Sequence, residues 1–226
     1  MKKTALIISA ILLIVSCKKA DAPLECVYGC ANFYFQNPQP DKDSELNSFP
    51  SKFRGLYVNN DSTFIRIEEN RILEEYFYKF KIHKLALDSL REEYDIVGDK
   101  LIMKDTKGKY NILSKGDSIE LLQKRIDTLF RFSLYQKAKR IAGQLILSRK
   151  DSIFWKVQFV SIEKNMLRFK NLHDIKDLKK LDSVTKVKGT KLDSISYLIK
   201  PSRSEFRKIF EIKDLGYDLE YKKVSK

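Results

Sequence analysis

The side chains in this sequence that are able to do chemistry are few and widely spaced. The only histidines are His83 and His173; each lies ahead of a Leu-Asp-Ser triplet, and Asp174 stands beside the second. Glu68-Glu69 and Glu92-Glu93 are adjacent carboxylates of the kind that serve as acid and base in glycosidases. The sequence lacks the Gly-x-Ser-x-Gly elbow, the Gly-rich phosphate loop and the His-Glu-x-x-His motif. We therefore predict no catalytic residue, no metal site and no cofactor. We interpret the two histidines as structural residues at helix starts.

The amino terminus contains a cysteine in a recognisable setting. Lys2 and Lys3 precede an apolar run from Ala5 to Val15, which is shorter than the roughly 20 residues that a membrane span needs. A basic start followed by such a run is typical of a signal peptide. The sequence Ile14-Val15-Ser16-Cys17 resembles the bacterial lipobox, which implies that residues 1–16 are removed and that Cys17 carries the lipid.

The residues after Cys17 bear on location and redox state. Lys18 and Lys19 follow the cysteine where an inner-membrane lipoprotein would carry Asp, which favours a lipid-anchored protein of the outer membrane. Its periplasmic or surface orientation is left open. Cys26 and Cys30 are the remaining cysteines, and outside the cytoplasm a disulfide between them is the expected state.

The positive charge is distributed unevenly along the chain. The 226 residues include 44 Lys and Arg against 30 Asp and Glu, a formal net charge of +14. Residues 17–135 hold 19 basic and 19 acidic residues, whereas residues 136–226 hold 23 and 11. This asymmetry indicates a surface for an anionic lipid, an acidic glycan or an envelope protein, and no nucleic-acid partner; the alternative is a solvated lysine-rich face that only keeps the protein soluble. The lysines assigned to that surface are Lys176, Lys179, Lys180, Lys186, Lys188 and Lys191.

A short triplet recurs seven times: Asp, then Ser or Thr, then an apolar residue or Thr. Asp and Ser bond their own backbone in turns, so a turn before a strand explains the triplet. The triplet also resembles the acceptor sequence of the general O-glycosylation system of Bacteroidetes, and the two interpretations are compatible. The candidate hydroxyls are Ser62, Ser89, Ser118, Thr128, Ser152, Ser183 and Ser194.

The periodicity that must position these residues is mostly that of strands. Turn residues separate short alternating runs, and Ile153 to Val160 has one fully apolar face. Ile175, Leu178 and Leu181 predict a helix capped by Asp174, and Ser202 with Glu205 forms a capping box for a second helix. The predicted fold class is α+β, predominantly antiparallel β-sheet with two or more short helices.

The chain divides into four predicted segments. A signal peptide (1–16) precedes a lipidated tether (17–50), a β-rich repeat (51–135) and a basic α+β repeat (136–226). The repeat is inferred from four short matches in the same order, which begin with Gly55-Leu56 against Gly143-Gln144. Whether the repeats form one domain or two is left open.

Four features together resemble a group of uncharacterised lipoproteins of the Bacteroidetes, especially flavobacteria. They are the lipobox start, the segment from Phe35 to Pro40, Trp155 with Val157, and the Lys200-Pro201-Ser202 turn before a Phe-containing helix. The resemblance implies a location in the cell envelope and no activity. We expect a membrane-anchored, non-enzymatic binding or structural protein. The alternatives are an envelope hydrolase acting on a glycan or ester, and a small barrel that binds an apolar ligand.

Overall fold

The computed structural model describes residues 29–89 and 91–224, so the predicted signal peptide, Cys17 and Cys26 lie outside the described residues. The fold is α+β and is dominated by a mixed, mostly antiparallel sheet, as predicted. The described residues form fifteen strands, which alternate in direction except where β1 runs parallel to β14. Their bounds are β1 Asn32–Phe35, β2 Gly55–Val58, β3 Phe64–Ile67, β4 Arg71–His83, β5 Tyr94–Val97, β6 Lys100–Met103, β7 Lys109–Lys115, β8 Ser118–Arg131, β9 Gln136–Ile141, β10 Gln144–Asp151, β11 Phe154–Glu163, β12 Met166–Asn171, β13 Thr190–Lys191, β14 Ser196–Ile199 and β15 Tyr217–Lys223.

Both helices that the sequence predicts are present, and each begins at its predicted cap. Helix α2 (Ile175–Val184) follows Asp174, and helix α3 (Arg203–Glu211) follows Ser202. In both, the cap side chain accepts a backbone N–H while an acid three residues later bonds the cap's own N–H. Helix α1 (Lys84–Asp88) is a single short turn, and a 3₁₀ turn covers Ser51–Phe53.

Nine strands enclose the first of three hydrophobic cores. They are hydrogen-bonded in the order β9, β10, β11, β12, β15, β2, β3, β4 and β8, and their inner sides share one cluster. Because side chains from β8 and β9, at the two ends of this order, contact the same core, the sheet curls around it. We call this part the barrel; β8 and β9 are not paired with each other, so it is open between them. Its interior is filled by aromatic rings of the chain itself, and burial raises the pKa of Tyr57 to about 12. An apolar ligand would have to displace these rings; they are Phe49, Phe53, Tyr57, Phe130, Phe169 and Tyr221.

The second core lies on the outer side of the barrel, beneath helices α2 and α3. Strand β10 is buried on both sides, since Leu145 faces the barrel while Ile146 faces the helices. Strand β11 is also buried on both sides, since Val160 faces the barrel and Phe159 faces the helices. Its apolar run therefore packs between two cores. Ile153, predicted as part of this strand, instead lies in the preceding turn and is 71% exposed.

The third core belongs to an arm that extends beyond the barrel. Strands β4 and β8 pair along their whole lengths, and only the first part of β4 and the last part of β8 contribute to the barrel core. The other part carries β5, β6, β7 and α1. One side of this small sheet packs under α1 around Leu87, Tyr94, Leu101 and Leu121.

The folded body begins earlier than the predicted tether allows. Strand β1 pairs with β11 and β14, and Phe35 and Phe49 are fully buried. The intervening loop is held by Lys139, whose buried Nζ donates to the carbonyls of Pro38 and Pro40 at 3.0 and 2.8 Å. Burial lowers the pKa of Lys139. Residues 29–50 therefore belong to the body, because their aromatic side chains are needed in two of its cores.

The predicted boundary at residue 135 falls in the turn between β8 and β9. Side chains from both sides of it fill the barrel core, and β15 pairs with β2 across it. Counted from the first matched residues, Gly55 and Gly143, each predicted repeat runs through three antiparallel strands into a helix, and the second has β9 ahead of its match. After α1 the first repeat forms four strands, whereas after α2 the second forms two strands, another helix and a last strand, so a duplication stays a prediction.

Candidate functional site

Three of the six lysines assigned to an anionic partner also make contacts within the protein. Lys180 Nζ donates to the carbonyl of Asp214, and Lys188 Nζ donates to the carbonyls of Asp182 and Thr185. Lys176 Nζ lies 3.8 Å from the buried carboxylate of Asp174. Half of the predicted patch thus serves the local structure around α2. The other three side chains, Lys179, Lys186 and Lys191, are exposed.

The two histidines have separate structural roles. His83 ends β4 in the arm, and its Nδ1 accepts the N–H of Leu85 at 3.3 Å, which caps α1. His173 precedes α2 and packs against the ring of Tyr217 with 4.4 Å between ring centres. The structure gives each histidine neighbours from its own part of the fold and does not bring the two together as a site.

The candidate glycosylation hydroxyls lie in three kinds of element. Ser62, Ser118, Ser152 and Ser194 are at or beside connections that lead into a strand, as the turn explanation requires. Ser62 and Ser152 adopt left-handed backbone angles, with φ of 60° and 58°. Ser89 and Ser183 end helical turns and donate to the carbonyls of Ala86 and Lys180, while Thr128 lies within β8. All are exposed except Ser118, which is half-buried.

Cys30 is disulfide-bonded, and its predicted partner Cys26 lies outside the described residues. The backbone around Cys30 is bound to the body, since Ala31 N donates to the carbonyl of His173 at 2.7 Å. The cysteine is therefore held against the start of α2, where it forms a β-bridge with Asp174.

A groove of about 170 Å³ lies between α3 and the outer side of β11, β12 and β15. Its floor is apolar and includes Phe159, Ile209 and Leu215. Its charged rim is internally paired: Arg168 bonds Glu220 at 2.7 Å and Glu163 at 3.1 Å, and Lys170 lies 3.7 Å from Asp218. A glycosidase would need two carboxylates that converge on a substrate. Here each carboxylate faces a cation of the protein.

A second group of charges, at the base of the arm, is partly buried. The carboxylate of Glu75 is 7% exposed; it accepts from Arg66 Nε at 2.6 Å and lies 2.7 Å from Lys124 Nζ. The hydrogen bond from Arg66 holds the pKa of Glu75 below its ordinary value. This arrangement joins β3, β4 and β8 where the arm leaves the barrel. Its geometry is that of a structural ion pair.

We expect Glu75→Gln to lower the free energy of unfolding at pH 7 by about 1–3 kcal/mol, because it removes the negative charge that Arg66 and Lys124 face in this buried position. Ionised Glu75 stabilises the fold above its unfolded pKa of about 4.3. That contribution is lost as the pH falls through its lower folded pKa. Urea unfolding at several pH values should thus show a smaller loss on acidification in Glu75→Gln than in the wild type. Glu92→Gln, at an exposed carboxylate, is the control; an equal loss in all three proteins would contradict the structural role.

The side of the arm opposite its core is uncovered and rich in lysine. In the register of β4 and β8, Phe77 lies opposite Lys124, and Lys79 lies opposite Leu122. Directly opposed residues share one face of a sheet. The same face continues across β7 and β6 through Asn111. We call this surface the lysine face; its cations are Lys79, Lys81, Lys100, Lys109, Lys115 and Lys124.

Sequence reasoning missed the lysine face. The signal was the alternation of lysine with apolar residues in β4, where Lys79 and Lys81 flank Phe80. The near-balanced charge of residues 17–135 concealed it.

No group of three or more metal-binding side chains occurs within residues 29–89 and 91–224. Among the helices of that same part, none is long and apolar enough to cross a bilayer. The sequence matches no protein-family model, and neither the curated proteins nor the solved structures contain a detectable relative.

Proposed function

We propose that this chain is a lipid-anchored protein of the bacterial cell envelope that acts as a non-enzymatic binding or structural component. In this proposal Cys17 carries the lipid after removal of residues 1–16, and the anchor lies in the outer membrane. The lipobox, the Lys18-Lys19 pair and the resemblance to Bacteroidetes lipoproteins support the location. Exposed hydroxyls of the Asp-Ser and Asp-Thr triplets are proposed acceptors of O-linked glycan.

The observation that carries the binding role is the shape of the body. A barrel filled by its own side chains projects an arm, and one side of that arm is left uncovered. An arm of this kind adds surface rather than an enclosed chamber. Enclosed chambers with convergent polar groups are typical of catalytic sites, whereas the carboxylates at the rim of the groove here are paired with cations.

Lipid attachment is tested in a bacterial host that processes lipoproteins. The wild-type chain should incorporate an alkyne-labelled palmitate analogue and enter the detergent phase on Triton X-114 separation. Cys17→Ala should lose both properties, because the acceptor sulfur is gone. Cys26→Ala should keep them and is the matched control. Label retained by Cys17→Ala, or absent from the wild type, would overturn the anchor. Affinity purification from native membranes, followed by mass spectrometry, would then identify the envelope partner.

A further inference from the structure

We propose that the lysine face of the arm binds the phosphate-bearing surface of an anionic membrane. The inference rests on the proposed function, since it names the partner of the arm's uncovered side. It does not require a lipid on Cys17, so the two ideas can fail separately.

Charge is the first support. Six lysines share the face with the carboxylates of Asp95 and Glu120 only, apart from the buried Glu75 at its base. Glu120 lies 2.7 Å from Lys115 Nζ, and Lys115, Lys79 and Lys81 lower its pKa. The one acid at the centre of the face thus contacts Lys115 and lies opposite Lys81. The surplus positive charge complements an anionic surface.

Apolar side chains are the second support. Phe77 is 40% exposed and Leu113 48% exposed between the lysines, and Ile126 is 54% exposed next to Phe77. Surfaces that bind at the boundary of headgroups and acyl chains combine basic and apolar residues in this way. Lysine stems can lie along such apolar surface while their ammonium groups reach phosphate.

The spread of the charges favours a membrane over an acidic protein. The lysines lie on four neighbouring strands, which spans about 15 Å at the usual strand spacing. They do not converge on one point, and an ammonium group lacks the fork that fixes an arginine on a single carboxylate. Mobile lipid phosphates can meet each charge in turn.

The test uses the mature chain from Cys17, exported behind a signal peptide that is cleaved without lipidation, so that the disulfide of Cys30 forms. The vesicles contain phosphatidylglycerol and phosphatidylcholine. The wild type should sediment with vesicles that contain phosphatidylglycerol and be released by salt. The triple variant Lys79→Gln, Lys81→Gln, Lys109→Gln removes charges outside the ion pairs described above. Binding should weaken about 100-fold, from the usual contribution of each lysine near an anionic surface.

Two matched variants make the result specific. Lys179→Gln, Lys186→Gln, Lys191→Gln removes the same charge from the exposed lysines around α2 and β13, and should bind like the wild type. Lys79→Arg, Lys81→Arg, Lys109→Arg keeps the charge and should also bind. If the two Gln variants lost vesicle binding equally, the proposal would be overturned, because binding would then depend on the net charge of the protein and not on the lysine face.

Insertion gives a second readout. The single native tryptophan, Trp155, is 9% exposed in the second core. The indole introduced by Phe77→Trp should shift its emission to the blue on binding and be quenched by brominated lipid. Absent vesicle binding at low salt would overturn the proposal and leave Cys17 labelling unaffected. Binding to polyglutamate but not to vesicles, with the same lysine dependence, would overturn it in favour of an acidic polypeptide.

Discussion

Gly216→Ala is expected to destabilise the protein by about 3 kcal/mol or more, through strain and a steric clash. Gly216 has a φ of +65°, and a Cβ at this position would lie 2.1 Å from the carbonyl oxygen of Asn171. That oxygen belongs to backbone held in the pairing of β12 with β15, where Asn171 lies opposite Tyr217. The clash therefore cannot be relieved by a change of side-chain rotamer.

The same substitution should also loosen helix α2. The N–H of Gly216 donates to Asp177 Oδ1 at 3.0 Å, and Asp177 Oδ2 accepts the N–H groups of His173 and Asp174. Asp177 is fully buried, so a displaced Gly216 leaves a carboxylate oxygen without one of its donors. The turn before β15 and the start of α2 should thus be lost together.

Gly98→Ala is the matched control for this prediction. Gly98 has nearly the same φ, +63°, but no atom lies within 4 Å of its added Cβ. Gly98→Ala should lower the free energy of unfolding only by the cost of placing an alanine in the left-handed backbone region, about 1–2 kcal/mol. Urea unfolding of both variants measures the difference, and equal losses would show that the close approach to Asn171 is relieved in solution.

Phe206→Ala is expected to cost about 3–5 kcal/mol, the range for removing a fully buried aromatic ring. Phe206 is the central contact of α3: its ring stacks on Phe159 at 5.7 Å and meets the edge of Phe35 at 6.0 Å. These partners belong to β11 and β1, so the ring joins the helix to the barrel wall and to the amino-terminal strand. The cavity left behind cannot be filled by one neighbour alone.

Two further variants test whether the loss of stability follows the amount of buried apolar volume that is removed. Phe206→Leu keeps most of the apolar volume and should cost clearly less than the alanine. Leu134→Ala removes a side chain that is 78% exposed and should change stability by less than about 0.5 kcal/mol. A lower urea midpoint with an unchanged denaturant slope would assign the effect to stability rather than to altered compactness. If Phe206→Ala matched Leu134→Ala, α3 would not be packed as described.

The lysines around α2 and the lysines of the lysine face are arranged differently along the sequence. Around α2 the sequence shows a dense run of lysines, and Lys180 and Lys188 among them donate to backbone carbonyls at helix and loop ends. On the arm the lysines are spaced through 46 residues of sequence and come together only because β4, β8, β7 and β6 pair. Sequence density is therefore a poor guide to a shared surface in a sheet protein, because strand pairing joins distant residues.

The sequence alone determined what depends on neighbouring residues. The caps at Asp174 and Ser202 and the apolar spacing after them defined α2 and α3, since helix hydrogen bonds and caps span only four residues. Alternation likewise predicted most strands and the α+β class. The lipid on Cys17 stays a prediction, and it too rests on neighbouring residues, those of the lipobox.

Only the tertiary structure decided which residues meet. The alternation in β4 shows two faces but not that α1 covers Phe80 while Lys79 stays exposed. Nor does it show that β15 returns to β2, which places residues from both predicted repeats in one barrel core. Strand partners and register are set by contacts between segments far apart in the chain, so no local pattern contains them. The balanced charge of residues 17–135 accordingly gave no sign of the lysine face, which exists only once the arm has folded.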